Sequence, residues 1–225
     1  MYSIIIPTYN EAKHIGKAID RIRRLAPESQ IIVVDGGSTD GTPDVAEKAG
    51  AELILCRRGR GIQCNAGALH TSADILLFLH ADTLLPEDAF TLITSHFEDP
   101  DVRIGTFRLS FDEDKSLLRF YCAFTKFDSV FTRFGDQCIV IRRSFFIEIS
   151  GFPDWPLFED VHLLRTARRH GKIVSLPAAV VTSARRFMEY GLIRTQLING
   201  WLLLLYFLGV SPAKLAMYYR SQRDT

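Results

Sequence analysis

The sequence predicts an α/β fold, with a mostly parallel central sheet, flanking helices and a C-terminal helical tail. Three observations predict it. Two short β-branched runs, Ile4 to Ile6 and Ile31 to Val34, suit strands buried on both faces. Between them, Glu11 to Leu25 sets Ile15, Ala18, Ile19, Ile22 and Leu25 at helical spacing, with Lys13, Lys17, Arg21 and Arg24 facing away. Polar clusters then follow the strands, at the carboxyl ends where an open parallel sheet gathers its ligands.

The elements follow in chain order. Pro7 is expected to end the first strand, and Thr8, Tyr9, Asn10 and Glu11 follow it. No G-x-G-x-x-G turn stands there, which argues against a nicotinamide-binding protein. "QIIVVDGGSTDGT" repeats the pattern of strand and turn, "PDVAEKAG" opens a helix on proline and closes it on Gly50, and "AELILC" and "ADILLFLHAD" are the third and fourth strands. "RGRGIQCNAG" reads as a loop after the third strand. Beyond Pro100 the pattern is less regular. "VRIGTFRLSF", "QCIVIRR", "KIVSLP" and "AAVVTS" are strand candidates, "LLRFYCAFTKFDSVFTRF" is an aromatic helix beside a cleft, and "FEDVHLLRTARRHGK" is a helix that ends on Gly171.

The tail differs. Its uninterrupted apolar run, Trp201 to Val210, falls short of the roughly 18 to 20 residues that a spanning helix needs. We therefore expect one domain over residues 1–190 and an amphipathic helical segment over 191–225. That segment packs on the domain, meets a second copy in a homodimer, or lies on a membrane. In the last case Trp201 and Tyr206 would sit at headgroup depth, with Arg194, Lys214 and Arg220 facing anionic lipid.

Composition narrows the partners. A 225-residue chain that is 47% hydrophobic holds a real core, and a net charge of +1 gives no field directed at nucleic acid. Cys56, Cys64, Cys122 and Cys138 have no close spacing and read mostly as buried free thiols. The start lacks a basic n-region, and Pro7, Asn10 and Glu11 interrupt its apolar stretch. The cytoplasm is therefore the expected location, with a peripheral position at the inner membrane face as the variant.

Three clusters carry chemistry. Asp35 ends the second strand before two glycines. A carboxylate there accepts but cannot donate, so it suits the ring N–H of a uridine, thymidine or guanosine nucleotide. The same "GSTDGT" also reads as a plain turn capped by Asp40 or Thr42. His80 and Asp82 follow the fourth strand, where alternation would put both on one side near a diphosphate. Asp82 would there share a divalent cation with phosphate oxygens. Glu159 and Asp160 start a helix. They either complement its dipole or, behind the aromatic lead Phe152 to Phe158, provide a general base.

"SIIIPTYNE", "VVDGGSTDGT", "RGRGIQCNAG", "LLFLHADT" and "FEDVHLLRTARRHGK" together, in this order over Ser3 to Lys172, resemble the family-2 glycosyltransferases. "VVTSARRFMEYGLIRT" and "YFLGVSPAKLAMYYR" further resemble its small bacterial branch labelled radical-SAM or selenodomain-associated, or arsenosugar-biosynthesis. The resemblance implies a Rossmann-like GT-A fold and a nucleotide-diphosphate sugar donor of UDP, dTDP or GDP type. It also implies transfer to an acceptor hydroxyl, usually with inversion. It sets Pro7, Thr8, Tyr9 and Glu11 against the nucleoside with Ala81 beside it, Asp35 on the base, and Arg60 and Asn65 at nucleotide or phosphate. Asp82 would be on the metal (Mg or Mn) with His80 as a possible second ligand, Asp160 would be the base, and Glu159 would orient acceptor or base.

Two departures stand out. Asp-x-Asp is replaced by His80-Ala81-Asp82, and the Gln-x-x-Arg-Trp motif of processive synthases is absent, which favours single-sugar transfer. Arg185 and Arg186 are candidates to brace the diphosphate in part of the metal's role, or form a solvated basic pair. The alternatives are a catalytically silent nucleotide-sugar-binding adaptor and a sugar-phosphate nucleotidyltransferase.

Overall fold

The computed structural model describes residues 1–124 and 135–221, with every side chain among them except those of Tyr121, Phe124, Arg186, Arg220 and Ser221. Its first part is regular: β1 (Tyr2–Thr8), α1 (Ala12–Leu25), β2 (Gln30–Asp35), α2 (Thr42–Lys48), β3 (Glu52–Leu55), α3 (Arg60–Leu69) and β4 (Ile75–Phe78). These four strands lie in the order β3-β2-β1-β4, all parallel. Both faces of this half are covered. Ile4, Ile6 and Val33 pack with Ile15, Ile19 and Ile22 of α1, while Ile5, Ile32 and Val34 turn to the opposite core with Cys64 and Ala68 of α3. Alternating isoleucines can serve two cores because successive side chains of a strand point to opposite faces.

The chain continues through β5 (Thr83–Leu84), α4 (Ala89–Phe97), β6 (Ile104–Phe111), α5 (Ser116–Phe124), β7 (Ile139–Arg142), α6 (Arg143–Glu148), α7 (Glu159–Arg168) and β8 (Val174–Thr182). Here the sheet becomes mixed. β7 runs antiparallel to both β4 and β6, β8 is parallel to β6, and short β5 closes the far edge antiparallel to β8. Three helices end the described chain: α8 (Arg185–Tyr190), α9 (Leu192–Phe207) and α10 (Pro212–Ser221).

Several local expectations are corrected. Pro7 does not end β1. The Thr8 carbonyl faces β2, where it accepts the Gly36 N–H at 3.0 Å, so alternation turns Pro7 toward β4. The ladder to β4 ends with the Leu79 N–H on the Ile5 carbonyl, where residue 7 would donate next, so Pro7 stops that pairing while the pairing with β2 continues. "RGRGIQCNAG" is helix α3 and not a loop. Its glycines permit close approach: a Cβ on Gly67 would stand 2.5 Å from Ile5 Cγ2, and one on Gly61 2.5 Å from the Pro153 carbonyl oxygen. "KIVSLP" and "AAVVTS" fuse into β8, whose pairing with β6 slips between Thr106 and Arg108, an irregularity that accommodates Pro177. Of the aromatic stretch, α5 is described and residues 125–134 lie outside the described residues.

All four cysteines are free, Cys64 and Cys138 buried and the other two half-buried. In the tail, Leu202, Leu203, Tyr206 and Leu215 form a small core with Val161 of α7. Tyr206 is therefore not at a surface: its ring lies 5.0 Å from Phe158 and 6.3 Å from Trp155. What α9 does expose is Ile193, Leu197, Trp201, Leu204 and Leu208, one face at helical spacing. No described helix is long and apolar enough to cross a membrane.

Candidate active site

Because β1 to β4 are parallel and nearly level, the loops that leave them open at one edge. Thr8 and Leu55 both flank Asp35 in register there. Asp35 is only 1% exposed. Its Oδ1 accepts the N–H groups of Gly37 (2.9 Å) and Ser38 (2.7 Å), and its Oδ2 accepts the hydroxyls of Thr8 (3.0 Å) and Ser38 (2.5 Å). Both oxygens are thus engaged in building the turn, and a base N–H would have to take the place of Ser38. Asn10 holds the facing side of this turn. At φ 55°, a left-handed conformation that asparagine tolerates, it accepts the Thr39 N–H at 2.9 Å and donates its own N–H to the Ser38 hydroxyl at 2.8 Å. Beside it, Tyr9 is exposed with the Arg58 guanidinium 3.7 Å above its ring, a flat face at the mouth of the edge. Arg58 carried no signal in the sequence.

Glu11, Asp82 and Arg185 meet next to this turn. Arg185, the first residue of α8, hydrogen-bonds Glu11 Oε1 and stands 3.2 Å from Asp82 Oδ2. The other Glu11 oxygen, Oε2, is buried with no hydrogen-bond partner among the described residues. The bond to Glu11 raises the Arg185 pKa further, against the cost of burial. Arg186 follows on the same short helix, with its side chain outside the described residues. His80 and Asp82 lie beyond the end of β4, in a turn where the Thr83 N–H reaches the His80 carbonyl at 3.1 Å. Strand alternation therefore does not set their sides. His80 is half-buried, and Ala81 packs into the core beside Leu79 and Leu85, so its side chain does not face the cleft.

No group of three or more His, Cys, Asp or Glu among the described residues is disposed to hold a metal ion. The residues present nonetheless fit a cation of the kind that takes only one or two carboxylates and completes its shell with substrate phosphates and water. Asp82 and the unpartnered Glu11 Oε2 are those carboxylate oxygens.

The third wall is the first turn of α7. Phe158, at φ 64°, takes a left-handed conformation unusual for its side chain and turns the chain into the helix. Glu159 is 4% exposed and paired with Arg60 Nη1 at 3.3 Å across α3 and α7. Burial pushes its carboxyl above the ordinary range, against the pull of Arg60. Asp160 accepts the Gly135 N–H at 2.6 Å on Oδ2 and the Val161 N–H at 2.8 Å on Oδ1. A Cβ on Gly135 would approach Asp160 Oδ2 to 2.9 Å, so the glycine admits the carboxylate.

Next to it stands Asp136, which the sequence reading missed: a lone acid before a strand has no spacing signal. Its Oδ1 is buried and unpartnered among the described residues. Burial, then the charge of Asp160, pushes its pKa up to about 7, with Asp82 adding to the effect and Arg60 opposing it. Asp82, Arg60 and Asp160 are thus electrostatic neighbours of Asp136.

Asn65 does not join them. Its amide is engaged by the Phe152 backbone, donating to the carbonyl at 2.8 Å and accepting the N–H at 3.0 Å, so it fixes the loop that leads to α7. Gln63, also missed, is buried and donates to the Thr8 and Val34 carbonyls at 2.7 Å, tying α3 to the ends of β1 and β2.

The family model for "Glycosyl transferase family 2" matches residues 3–149, which hold β1 to β7 but not β8, Glu159 or Asp160. Among curated relatives, an undecaprenyl-phosphate mannosyltransferase of Micrococcus luteus is 48% identical over 115 residues, 47% of each chain. The glycosyltransferase AglJ of Haloferax volcanii is 36% identical over 106 residues, 45% of this chain and 34% of that one. The chain thus spans less than half the length of either relative. Among solved structures, the mannosyltransferase PcManGT from Pyrobaculum calidifontis, in complex with GDP-Man and Mn2+, superposes with a TM-score of 0.63 at 24% identity, covering 80% of this chain and 56% of that one. TarS of S. aureus in complex with UDP superposes at 0.67 with 18% identity over 81% of this chain and 60% of its own. Both are similar in fold, which is that of the GT-A glycosyltransferases.

Proposed function

Because the chain belongs to glycosyl transferase family 2, we propose that it moves a single sugar from a nucleoside-diphosphate donor to an acceptor hydroxyl, with inversion at the anomeric carbon. The observation that supports this reading is that Arg185 joins Glu11 to Asp82, while Asp136 feels the charges of both Asp82 and Asp160, so acids that follow β1 and β4 have those at the start of α7 as electrostatic neighbours. Tyr9 and the Asp35 turn receive the nucleoside of a UDP, dTDP or GDP sugar, and Arg185 approaches its diphosphate. Asp82 and Glu11 would hold a Mg2+ or Mn2+, which would supply charge neutralisation for the leaving diphosphate. Asp160, fixed by two backbone N–H bonds, takes the proton of the attacking hydroxyl, while buried Glu159, paired with the half-exposed Arg60, holds the helix that carries it.

Asp160→Asn tests the assignment. Transfer from a labelled sugar nucleotide should fall by at least about a hundredfold, as loss of a positioned base implies, with nucleoside-diphosphate affinity nearly unchanged. Normal turnover in that variant would remove Asp160 as the base. A peripheral position at a membrane also belongs to the proposal, supported by the exposed apolar face of α9 and by Arg194 and Lys214 in a stretch, 190–221, that holds no acidic residue.

A further inference from the structure

The contact between Arg185 and the two carboxylates goes beyond this assignment of roles. A guanidinium joins Glu11 Oε1 to Asp82 Oδ2, and these are the acids that the cation needs. Both carboxylates are largely withdrawn from water, each side chain being 15% exposed, so a positive charge must stay near them. The backbone behind Arg185 is fixed, since the Ala184 N–H is held by Asp112 Oδ1 at 2.7 Å. Its side chain is a long stem that can redirect its fork over several ångströms without moving α8. Glu11 is fixed on the other side, its backbone N–H donating to the Thr42 hydroxyl at 2.8 Å, and its second oxygen remains without a partner among the described residues.

We propose that Arg185 is a resident counterion that occupies the divalent cation's place in the ligand-free protein and must vacate Asp82 when the cation and a nucleoside diphosphate arrive. The same guanidinium then pairs with the diphosphate oxygens. One charge thus serves two states, holding the empty site together and bracing the leaving group of the filled one. A direct consequence is that the cation binds poorly by itself, since it competes with a tethered cation for Asp82, and binds well only when the diphosphate draws Arg185 away. The second half of the inference rests on the glycosyl-transfer reading, whereas the first half does not.

The test measures Mn2+ binding to the nucleotide-free full chain, followed by loss of the free Mn2+ electron paramagnetic resonance signal at fixed ionic strength. Arg185→Gln should bind Mn2+ about five- to tenfold more tightly than the wild type, the scale of a removed, partly exposed ion-pair competitor. Arg185→Lys keeps the charge without the fork and should tighten binding about twofold to threefold. If Arg185→Gln does not fold, the lysine variant carries the comparison. Unchanged or weaker Mn2+ binding in the folded variant overturns the inference. A second arm measures UDP and GDP binding in chelator, where Arg185→Gln should lose at least about tenfold in affinity and recover part of it with Mn2+. Wild-type protein that binds neither nucleotide under any condition overturns the glycosyl-transfer reading and the bracing role, while the Mn2+ comparison still decides whether Arg185 holds the cation's place.

Discussion

Asp136→Asn is expected to stabilise the protein, and more so as the pH rises. In the fold Asp136 ionises at about 7, against an ordinary 3.8, because burial and the neighbouring Asp160 disfavour its charge. A carboxyl whose folded pKa lies above its unfolded one contributes stability that is fully present below the unfolded value and lost as pH rises through the folded one. At about 1.36 kcal/mol per pH unit, the wild type loses about 2–3 kcal/mol between pH 5 and pH 7 through this group, and little more above that. Asparagine fills the same volume and never ionises. The stability gap between variant and wild type, read from urea unfolding at pH 5 and pH 8, should therefore widen by about 2–3 kcal/mol in the variant's favour. A gap that stays constant with pH, or a variant less stable at pH 8, would refute the claim that a charged Asp136 is forced into this space. The persistence of so costly a residue would fit a site where charge placement matters more than stability.

Arg60→Met should destabilise by about 1–3 kcal/mol, because it leaves buried Glu159 without its half-exposed partner. Adding Glu159→Gln should recover most of that loss, and a double variant no better than the single one would show that the pair is not coupled. The exposed face of α9 predicts co-flotation with vesicles rich in anionic lipid, reduced about tenfold or more by replacing Trp201 and Leu208 together with serine. Wild-type protein that stays wholly off such vesicles would remove the membrane assignment.

What the sequence made legible follows from how local the causes were. β1 and β2 could be read because each is a short β-branched run buried on both faces, β3 and β4 because each is a short apolar run that follows a helix, and α1 because its buried residues repeat at helical period. The cluster at α7 was visible because Glu159 and Asp160 are adjacent in the chain. α3 was not. Gly61 and Gly67 weaken its helical signal, and their reason, contact with Pro153 and Ile5, lies in tertiary packing. Asn65 shares that helix and was assigned to a ligand, although its partners on Phe152 are remote in sequence. Asp136 and Arg58 stayed hidden for the same reason: the first gains its character from Asp160 and Asp82, the second from lying over Tyr9.

The last helices are not a detachable appendage. Tyr206 leans on Phe158, the residue whose left-handed twist launches α7, and Val161, one step past Asp160, is sealed by Leu202, Leu203 and Leu215. A chain cut after Tyr190 would strip this buttress from beneath the first turn of α7, so whatever surface presses upon α9 also leans on the turn that carries Asp160.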